Sequence, residues 1–153
     1  MSAILFDTNL LVLLIAGTIK PALVGTHRRL RAFSGEDYHN LSAIAARYAD
    51  HVSTPNILTE ASNLLGSSDQ EMFPGAGVAL ANYCASLREI YVPSETIMSD
   101  SVYLRFGLAD ASIIDVALRH RIDVMTAEYA LHGILVQSGG TSVNLRHLSQ
   151  YRE

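Results

Sequence analysis

The sequence has few residues of the kinds that build a disulfide framework or a zinc site. Its single cysteine, Cys84, cannot form an internal disulfide, and the apolar, helix-like stretch around it indicates a small buried side chain rather than a reactive thiol. No two of the six histidines have the short spacing that a zinc site on one helix requires. These features argue against a disulfide-rich domain and against a zinc enzyme.

Long apolar runs and an excess of positive charge are also absent. The apolar run from Leu10 to Ala16 is far shorter than the roughly 20 residues that a membrane-spanning helix needs, and no basic segment precedes it as in a secretory signal. We therefore expect a cytoplasmic protein without a membrane partner. The formal charge of −4 excludes a surface that is basic overall, so a nucleic acid would have to bind a local basic patch.

The chain has 153 residues, of which 49% are hydrophobic, and can bury one sizeable core, so we expect a single domain over residues 1–153. Short strands are predicted at Ala3–Phe6, in IDVMT and in SVNL. Apolar periodicity predicts helices over residues 10–17, 37–52, 55–65, 78–90, 95–105, 110–120 and from 128 onward. This alternation predicts an α/β fold, a three-layer α/β/α sandwich whose central, mainly parallel sheet binds ligands at the carboxyl ends of its strands.

Two acidic residues come directly after predicted strands. Asp7 follows the first strand, and Glu128 stands two residues after Thr126, the last residue of IDVMT. The carboxyl ends of parallel strands meet at the sheet edge where α/β proteins bind ligands. A structural interpretation of each acid remains open, because Asp is a preferred helix N-cap and Glu at a helix start favours the helix dipole.

Two further acids belong to predicted helices. Helical geometry places Glu60 just beyond the apolar stripe of its helix, in line with Asn56, where it forms either a polar rim beside the core or a solvated surface. Asp110 lies in the middle of the apolar arc of its helix, so its carboxylate is predicted to point inward. Asp115 is expected on the polar face of that helix together with Ser112 and Arg119, where it forms an ordinary surface ion pair with Arg119.

The acids Asp7, Glu60, Asp110 and Glu128 could converge on one spot, since two strand ends and two helix faces border the same sheet edge. Carboxylates crowded together repel each other, and their pKa values rise unless a cation compensates. Hard divalent ions such as Mg²⁺ or Mn²⁺ prefer oxygen ligands. An acidic pocket without His or Cys therefore predicts a site for Mg²⁺ or Mn²⁺.

Four segments around these acids follow one another along nearly the whole chain: ILFDTNLLVLL, TPNILTEASNLL, LRFGLADASIIDVAL and IDVMTAEYAL. In these segments, their order and their rough spacing, the sequence resembles the PIN-domain family, metal-dependent ribonucleases that include the VapC-type toxins of bacterial and archaeal toxin–antitoxin pairs. The resemblance implies a PIN-like fold and hydrolysis of RNA phosphodiester bonds by water activated on the bound metal.

The resemblance also implies roles for individual residues. Asp7, Glu60 and Asp110 would be the metal ligands, and Thr8 or Asn9 would orient a ligand or hydrogen-bond the substrate. The number of metal ions, one or two, is left open.

The fourth acid departs from the pattern of the family. An aspartate normally follows the strand-ending threonine by two residues, whereas here Thr126 is followed by Ala127 and Glu128. Glutamate keeps the charge but carries its carboxylate outward by about 1.5 Å, so Glu128 would complete the site directly or through water. We expect Thr126 and Asn56 to support the site or the substrate.

An RNA substrate requires cations near the acidic site, and the chain has two basic clusters. They are HRRLR at His27–Arg31 and RHR at Arg119–Arg121. Each either contacts RNA phosphates or forms a solvated face. The resemblance further implies a homodimer and a small antitoxin protein as partner.

Two alternatives remain open. A haloacid-dehalogenase-like phosphohydrolase also has an aspartate after an apolar strand, but its chemistry needs a second aspartate two residues later, where this chain has Asn9. A PIN-like domain could instead be a catalytically weak RNA- or protein-binding module, with Glu128 as the first sign of lost activity. Cleavage of RNA that depends on Mg²⁺ or Mn²⁺ and on Asp7 separates these functions.

Overall fold

The computed structural model describes residues 2–66 and 68–150. In this part of the chain one parallel sheet contains five strands: β1 (Ala3–Phe6), β2 (Asp50–Ser53), β3 (Arg88–Glu89), β4 (Asp123–Thr126) and β5 (Ser142–Asn144). Within residues 2–66 and 68–150, nine α-helices cover the sheet: α1 (Thr8–Ile19), α2 (Gly35–Arg47), α3 (Pro55–Leu65), α4 (Ala76–Ser86), α5 (Ser94–Met98), α6 (Ser101–Phe106), α7 (Leu108–His120), α8 (Tyr129–Gln137) and α9 (Leu145–Gln150). The α/β fold with a parallel central sheet is confirmed.

The strand order is β3-β2-β1-β4-β5. From β1 the chain moves to β2 and β3 on one side, and it then crosses to β4 and β5 on the other side. Because parallel crossovers are right-handed, the helices of these two halves cover opposite faces of the sheet, which gives a three-layer α/β/α sandwich. The direction of winding reverses between β1 and β4, so a crevice opens there at the carboxyl ends of the strands.

The core is built around β1 and α1. All four residues of β1 are buried, as expected for a central strand that is covered on both faces. Helix α1 is apolar nearly all round and is almost wholly buried in contact with α2, α3 and α4. Its 12 residues make it a core helix, and no helix within residues 2–66 and 68–150 has the length and apolar character to cross a membrane.

Capping residues determine where the helices at the crevice begin. Thr54 caps α3 by accepting a hydrogen bond from the Ile57 backbone N–H at 3.2 Å, and Pro55 occupies the first helical position. Gly107 precedes α7 with a φ of 84°, a conformation that favours glycine. Both helices start at the carboxyl edge of the sheet, so their first turns border the crevice.

Two of the predicted helices are too long, because their last residues form strands in the structure. The helix predicted over 37–52 ends at Arg47, and the residues from Asp50 onward form β2. The helix predicted over 78–90 ends at Ser86, because the two residues that follow pair with β2 as the edge strand β3. Both residues of β3 are exposed, so no apolar alternation marks this strand in the sequence.

Other differences concern the second half of the chain. The helix predicted over 95–105 is divided into α5 and α6, because Asp100 caps α6 by accepting a hydrogen bond from the Val102 backbone N–H at 3.0 Å. The strand predicted in SVNL is present as β5, but the unpredicted helix α9 follows it at once.

Ser112 is buried, although its helical position predicted a solvated face. It is 1% exposed, and its hydroxyl donates to the carbonyl oxygen of Ala109 at 2.6 Å and hydrogen-bonds Oγ1 of Thr54 at 2.9 Å. Burial of the hydroxyl is tolerated because it is fully paired. The bond to Thr54 joins α7 to the start of α3, and these two helices carry Asp110 and Glu60.

Gly17 was predicted at the end of the first helix, but it lies inside α1. The ring of Tyr38 from α2 packs against it. A Cβ atom on Gly17 would lie 2.5 Å from Cδ2 of Tyr38. The ring is held in place by a hydrogen bond of 2.9 Å between the Tyr38 hydroxyl and Oγ1 of Thr18. Only glycine permits this contact between α1 and α2.

We expect Gly17→Ala to lower the free energy of unfolding by about 1–3 kcal/mol, because the new methyl group displaces the Tyr38 ring. Gly133→Ala is the matched control within α8, where a Cβ atom meets nothing within 4 Å. That change should raise the free energy of unfolding by about 0.5–1 kcal/mol. Urea denaturation measures both values, and effects of the same sign would contradict the packing explanation.

Candidate functional site

Asp7 stands where β1 ends and α1 begins, and it is only 2% exposed. Its Oδ1 accepts a hydrogen bond from the Leu10 backbone N–H at 2.9 Å, and its Oδ2 accepts hydrogen bonds from the Thr126 hydroxyl and, at 3.3 Å, from the Ala127 backbone N–H. One carboxylate oxygen therefore caps α1 while the other faces the end of β4. The helix-cap interpretation of Asp7 is correct, and it leaves the residue at the crevice.

Thr126 connects Asp7 to the acid that follows β4. Its side chain is fully buried, and its hydroxyl donates to Asp7 and accepts a hydrogen bond from the Glu128 backbone N–H at 3.0 Å. Glu128 occupies the N-cap position of α8 but makes no side-chain capping bond there. Its exposed side chain instead lines the same cleft as Asp7.

The other two acids reach this cleft from helices. Glu60 on α3 accepts a hydrogen bond from Oγ1 of Thr8 at 3.4 Å, and Asp110 is half-buried in the first turn of α7. Together with the two acids at the strand ends they line a cleft of about 180 Å³, and the exposed Asn9 stands at its rim. The structure thus brings together the four acids that were predicted from the sequence.

Burial and mutual repulsion perturb the acids. Burial raises the pKa of Asp7 to about 6, even though hydrogen bonds, above all that from Thr126, lower it. Burial also raises the pKa of Asp110 to about 7, and the charges of Glu128, Asp7 and Glu60 contribute in the same direction. Carboxylates in this situation are stabilised by a proton or by a cation.

In chemistry the cleft fits a hard divalent cation, since it offers carboxylate and other oxygen atoms and neither His nor Cys. Its geometry is not that of a coordination sphere: within residues 2–66 and 68–150, no three His, Cys, Asp or Glu side chains are arranged so that they could hold a metal ion. Asp7 is fixed by three hydrogen bonds, whereas Glu60 and Glu128 are exposed and can rotate. A metal would therefore require the carboxylates of the cleft to come closer together.

Asn56 does not line the acidic cleft. Together with Asn63 it lines a neighbouring pocket of about 410 Å³, which shares Glu60 with the cleft. The alignment of Asn56 with Glu60 along one helix face, predicted from helical spacing, is confirmed.

The two basic clusters differ in their position relative to the acids. The first contributes three exposed arginines to one groove of about 430 Å³: Arg28, Arg29 and Arg31. This groove includes Asn9, which also lines the acidic cleft. The second cluster begins at Arg119, about 14 Å from Asp110 along the axis of α7, and Arg119 pairs with Asp115 at 2.9 Å. Only the first cluster adjoins the acids.

One wall of the cleft was not found from the sequence. It consists of Phe106, Gly107, Leu108 and Ala109, at the junction of α6 and α7. Gly107 was the available signal, because a glycine directly before an amphipathic helix marks a sharp entry into that helix. In the sequence, Gly107 marks only a break between the helices predicted over 95–105 and 110–120.

No protein-family model and no curated protein matches the sequence. Among solved structures, the chain is similar to the crystal structure of PAE2754 from Pyrobaculum aerophilum, with 19% sequence identity and a TM-score of 0.55. The match covers 96% of this chain and 92% of that chain. At this level of identity the similarity supports the fold alone.

Without added divalent metal, we expect Asp110→Asn to raise the free energy of unfolding at about pH 8 by about 1–2 kcal/mol, after allowance for solvent screening of the half-buried carboxyl. The folded-state pKa of about 7 lies above the ordinary value of 3.8. The charged carboxylate of Asp110 therefore destabilises the fold fully above about pH 7. This destabilisation shrinks as the pH falls and disappears below about pH 4. Urea denaturation at several pH values should show the benefit of the variant shrinking as the pH falls.

Asp115→Asn on the same helix is the control, because that carboxylate pairs with Arg119 at 2.9 Å. We expect no stabilisation from it. A benefit of Asp110→Asn that stayed constant over the whole pH range would contradict its link to titration of the carboxyl group.

Proposed function

We propose that the protein is a metal-dependent ribonuclease of the PIN type, which hydrolyses RNA phosphodiester bonds. The observation that carries this proposal is the convergence of Asp7, Glu60, Asp110 and Glu128 on one cleft, at the point where the winding of the sheet reverses. Ligands of α/β proteins bind at such points. The raised pKa values of Asp7 and Asp110 add support, since perturbed acids in a cleft are typical of functional sites.

The acids would divide the work of binding the metal. Asp7 is the fixed ligand, because three hydrogen bonds hold its carboxylate. Asp110 supplies a second carboxylate from the first turn of α7. Thr8 orients Glu60 through its hydroxyl. Glu60 and Glu128 would complete the site once a cation offsets the repulsion between the carboxylates.

Mg²⁺ or Mn²⁺ bound by these carboxylates would supply Lewis acidity, which makes a water molecule more acidic and offsets charge on the phosphoryl oxygens. The chain's own residues would position the phosphate group. Asn9 stands between the acids and the arginine groove, where its carboxamide can donate a hydrogen bond to a phosphate oxygen.

The acidic cleft repels RNA, so the attraction must come from cations beside it. Arg28, Arg29 and Arg31 line the groove that meets the cleft at Asn9. None of the three guanidinium groups forms an ion pair with another residue in the part of the chain that the structure describes. They are therefore available to contact phosphates on the RNA strand.

Two observations favour the alternative of a PIN-like module that binds RNA or protein without cutting it. Among the described residues, no three acidic, His or Cys side chains are arranged to hold a metal, and Glu128 replaces the aspartate of the family.

The toxin role, the homodimer and the small antitoxin remain predictions from the resemblance. A small protein that co-purifies from the native source would support the antitoxin, and sedimentation would measure the oligomeric state.

We expect the purified protein to cleave single-stranded RNA when Mg²⁺ or Mn²⁺ is present and to stop when a chelator removes it. Asp7→Asn should lower the cleavage rate about 100-fold or more, because the carboxamide keeps a cap acceptor for α1 but loses the negative charge. Gel electrophoresis of end-labelled RNA measures the rates. Asp115→Asn, whose carboxylate lies outside the acidic cleft, is the control and should retain activity.

Equal inactivity of the wild type and Asp7→Asn on every RNA tested, together with retained RNA binding, would establish the binding module instead. A phosphoryl group trapped on Asp7 would revive the phosphohydrolase alternative.

We expect Arg28→Glu and Arg29→Glu each to weaken RNA binding and to reduce the slope of log affinity against log salt by about 1. Arg121→Glu makes the same change of charge at the far end of α7 and should have little effect on that slope. Fluorescence anisotropy over a series of salt concentrations measures the three affinities. The same loss in all three variants would mean that net charge, rather than the groove, attracts the RNA.

A further inference from the structure

A second pocket lies beside the acidic cleft, on the other side of Glu60. We call it the side pocket; its volume is about 410 Å³, and its walls include Asn56, Glu60, Asn63, Tyr91, Val92 and Leu108. Glu60, Leu108 and Ala109 line both the side pocket and the acidic cleft. A group bound in the side pocket would therefore be the immediate neighbour of a group bound in the cleft.

The side pocket combines apolar walls with neutral polar groups. Val92 and Leu108 provide apolar surface, and Asn56 and Asn63 provide carboxamides that make no side-chain hydrogen bond to any described residue. None of its lining residues, all of which the structure describes, is Lys, Arg or His, and Glu60 adds a negative charge. These features disfavour a phosphate and favour a neutral ligand with apolar faces and a polar edge.

Tyr91 is an exposed aromatic residue at this pocket. Its side chain is 72% exposed, and no sequence motif marks it. The backbone on both sides of it is fixed, since the Ile90 N–H donates to the Ser53 carbonyl oxygen at 2.9 Å and α5 begins at Ser94. An exposed aromatic ring on a fixed backbone is the kind of platform on which nucleobases stack.

We propose that the side pocket binds a nucleobase of the RNA strand, next to the nucleotide whose phosphate lies in the acidic cleft. The base stacks on Tyr91, and the carboxamides of Asn56 and Asn63 hydrogen-bond its polar edge. This inference rests on the proposed function, because the RNA supplies the base. Asn63 also lines a groove with Arg28 and Arg29, so the base site is continuous with the cationic surface.

Carboxamides donate and accept hydrogen bonds, so their fit depends on the polar edge of the base. Stacking on an aromatic ring is similar for every base. The pocket therefore separates two contributions to binding. Tyr91 provides affinity for any base, and the two asparagines provide preference among bases.

Equilibrium binding of short fluorescent single-stranded RNAs, with chelator present to prevent cleavage, tests the proposal. Tyr91→Ala is expected to weaken binding about tenfold, whereas Tyr91→Phe keeps the stacking face and the affinity. A series of RNAs, each lacking the base at a different position, locates the stacked base. Tyr91→Ala should weaken binding of every RNA in the series except the one that lacks the base bound in the side pocket. Val78→Ala, which shortens an exposed side chain of α4 outside the pocket, is the control for surface truncation.

The asparagines are tested with four homopolymeric RNAs. Asn56→Ala and Asn63→Ala should change the order of affinities among the four, whereas Tyr91→Ala should weaken all of them. Thermal unfolding checks that each variant has the same Tm as the wild type, as expected for side chains that are not in the core.

The proposal is overturned if folded Tyr91→Ala binds every RNA as tightly as the wild type. If the wild type nevertheless cleaves RNA, the ribonuclease function stands without the base site. Tyr91-dependent binding by a protein that cuts no RNA supports the base site and overturns the ribonuclease function. If the wild type neither binds RNA nor cleaves it with Mg²⁺ or Mn²⁺ present, both proposals are wrong.

Discussion

A buried carboxylate needs hydrogen-bond donors or a cation around it, and at Asp7 this requirement joins two distant parts of the chain. Thr126 and Ala127 donate to Asp7 only because β4 lies beside β1 in parallel, with Phe6 opposite Met125. The same pairing brings the start of α8, and with it the fourth acid, to the start of α1. The geometry of the cleft therefore depends on one strand pairing more than on any single loop.

The acids in this cleft cost the fold stability, and the surrounding packing offsets the cost. Burial disfavours the charge of Asp7, and burial together with three neighbouring carboxylates disfavours that of Asp110. The apolar core of β1 and α1 holds Asp7 in place, and the hydrogen bond between Thr54 and Ser112 holds the helices that carry the other acids. A cation would relieve the repulsion, which is the physical reason for proposing metal chemistry at this cleft.

Much of this arrangement could be predicted where local signals agree. β1 and β4 are apolar runs followed by polar residues, and α3 has a strong cap at Thr54 and an apolar stripe, so their bounds agree with the prediction within about a residue. β3 could not be predicted, because two exposed residues become a strand only through pairing with β2. Ser112 was misplaced, because its partner Thr54 is far away in sequence. The four acids could be assigned to one sheet edge, but rotamers of the exposed Glu60 and Glu128 have no signal in sequence.

The strand order also bears on how the protein is made. A polypeptide leaves the ribosome from its N-terminus, so β1 and α1 emerge well before β4, their neighbour in the finished sheet. Until Thr126 and Ala127 have emerged, the carboxylate of Asp7 lacks two of its three hydrogen-bond donors and the crevice lacks one side. A chain that stops before Thr126 therefore lacks β4 and Glu128, and it cannot form the complete cleft.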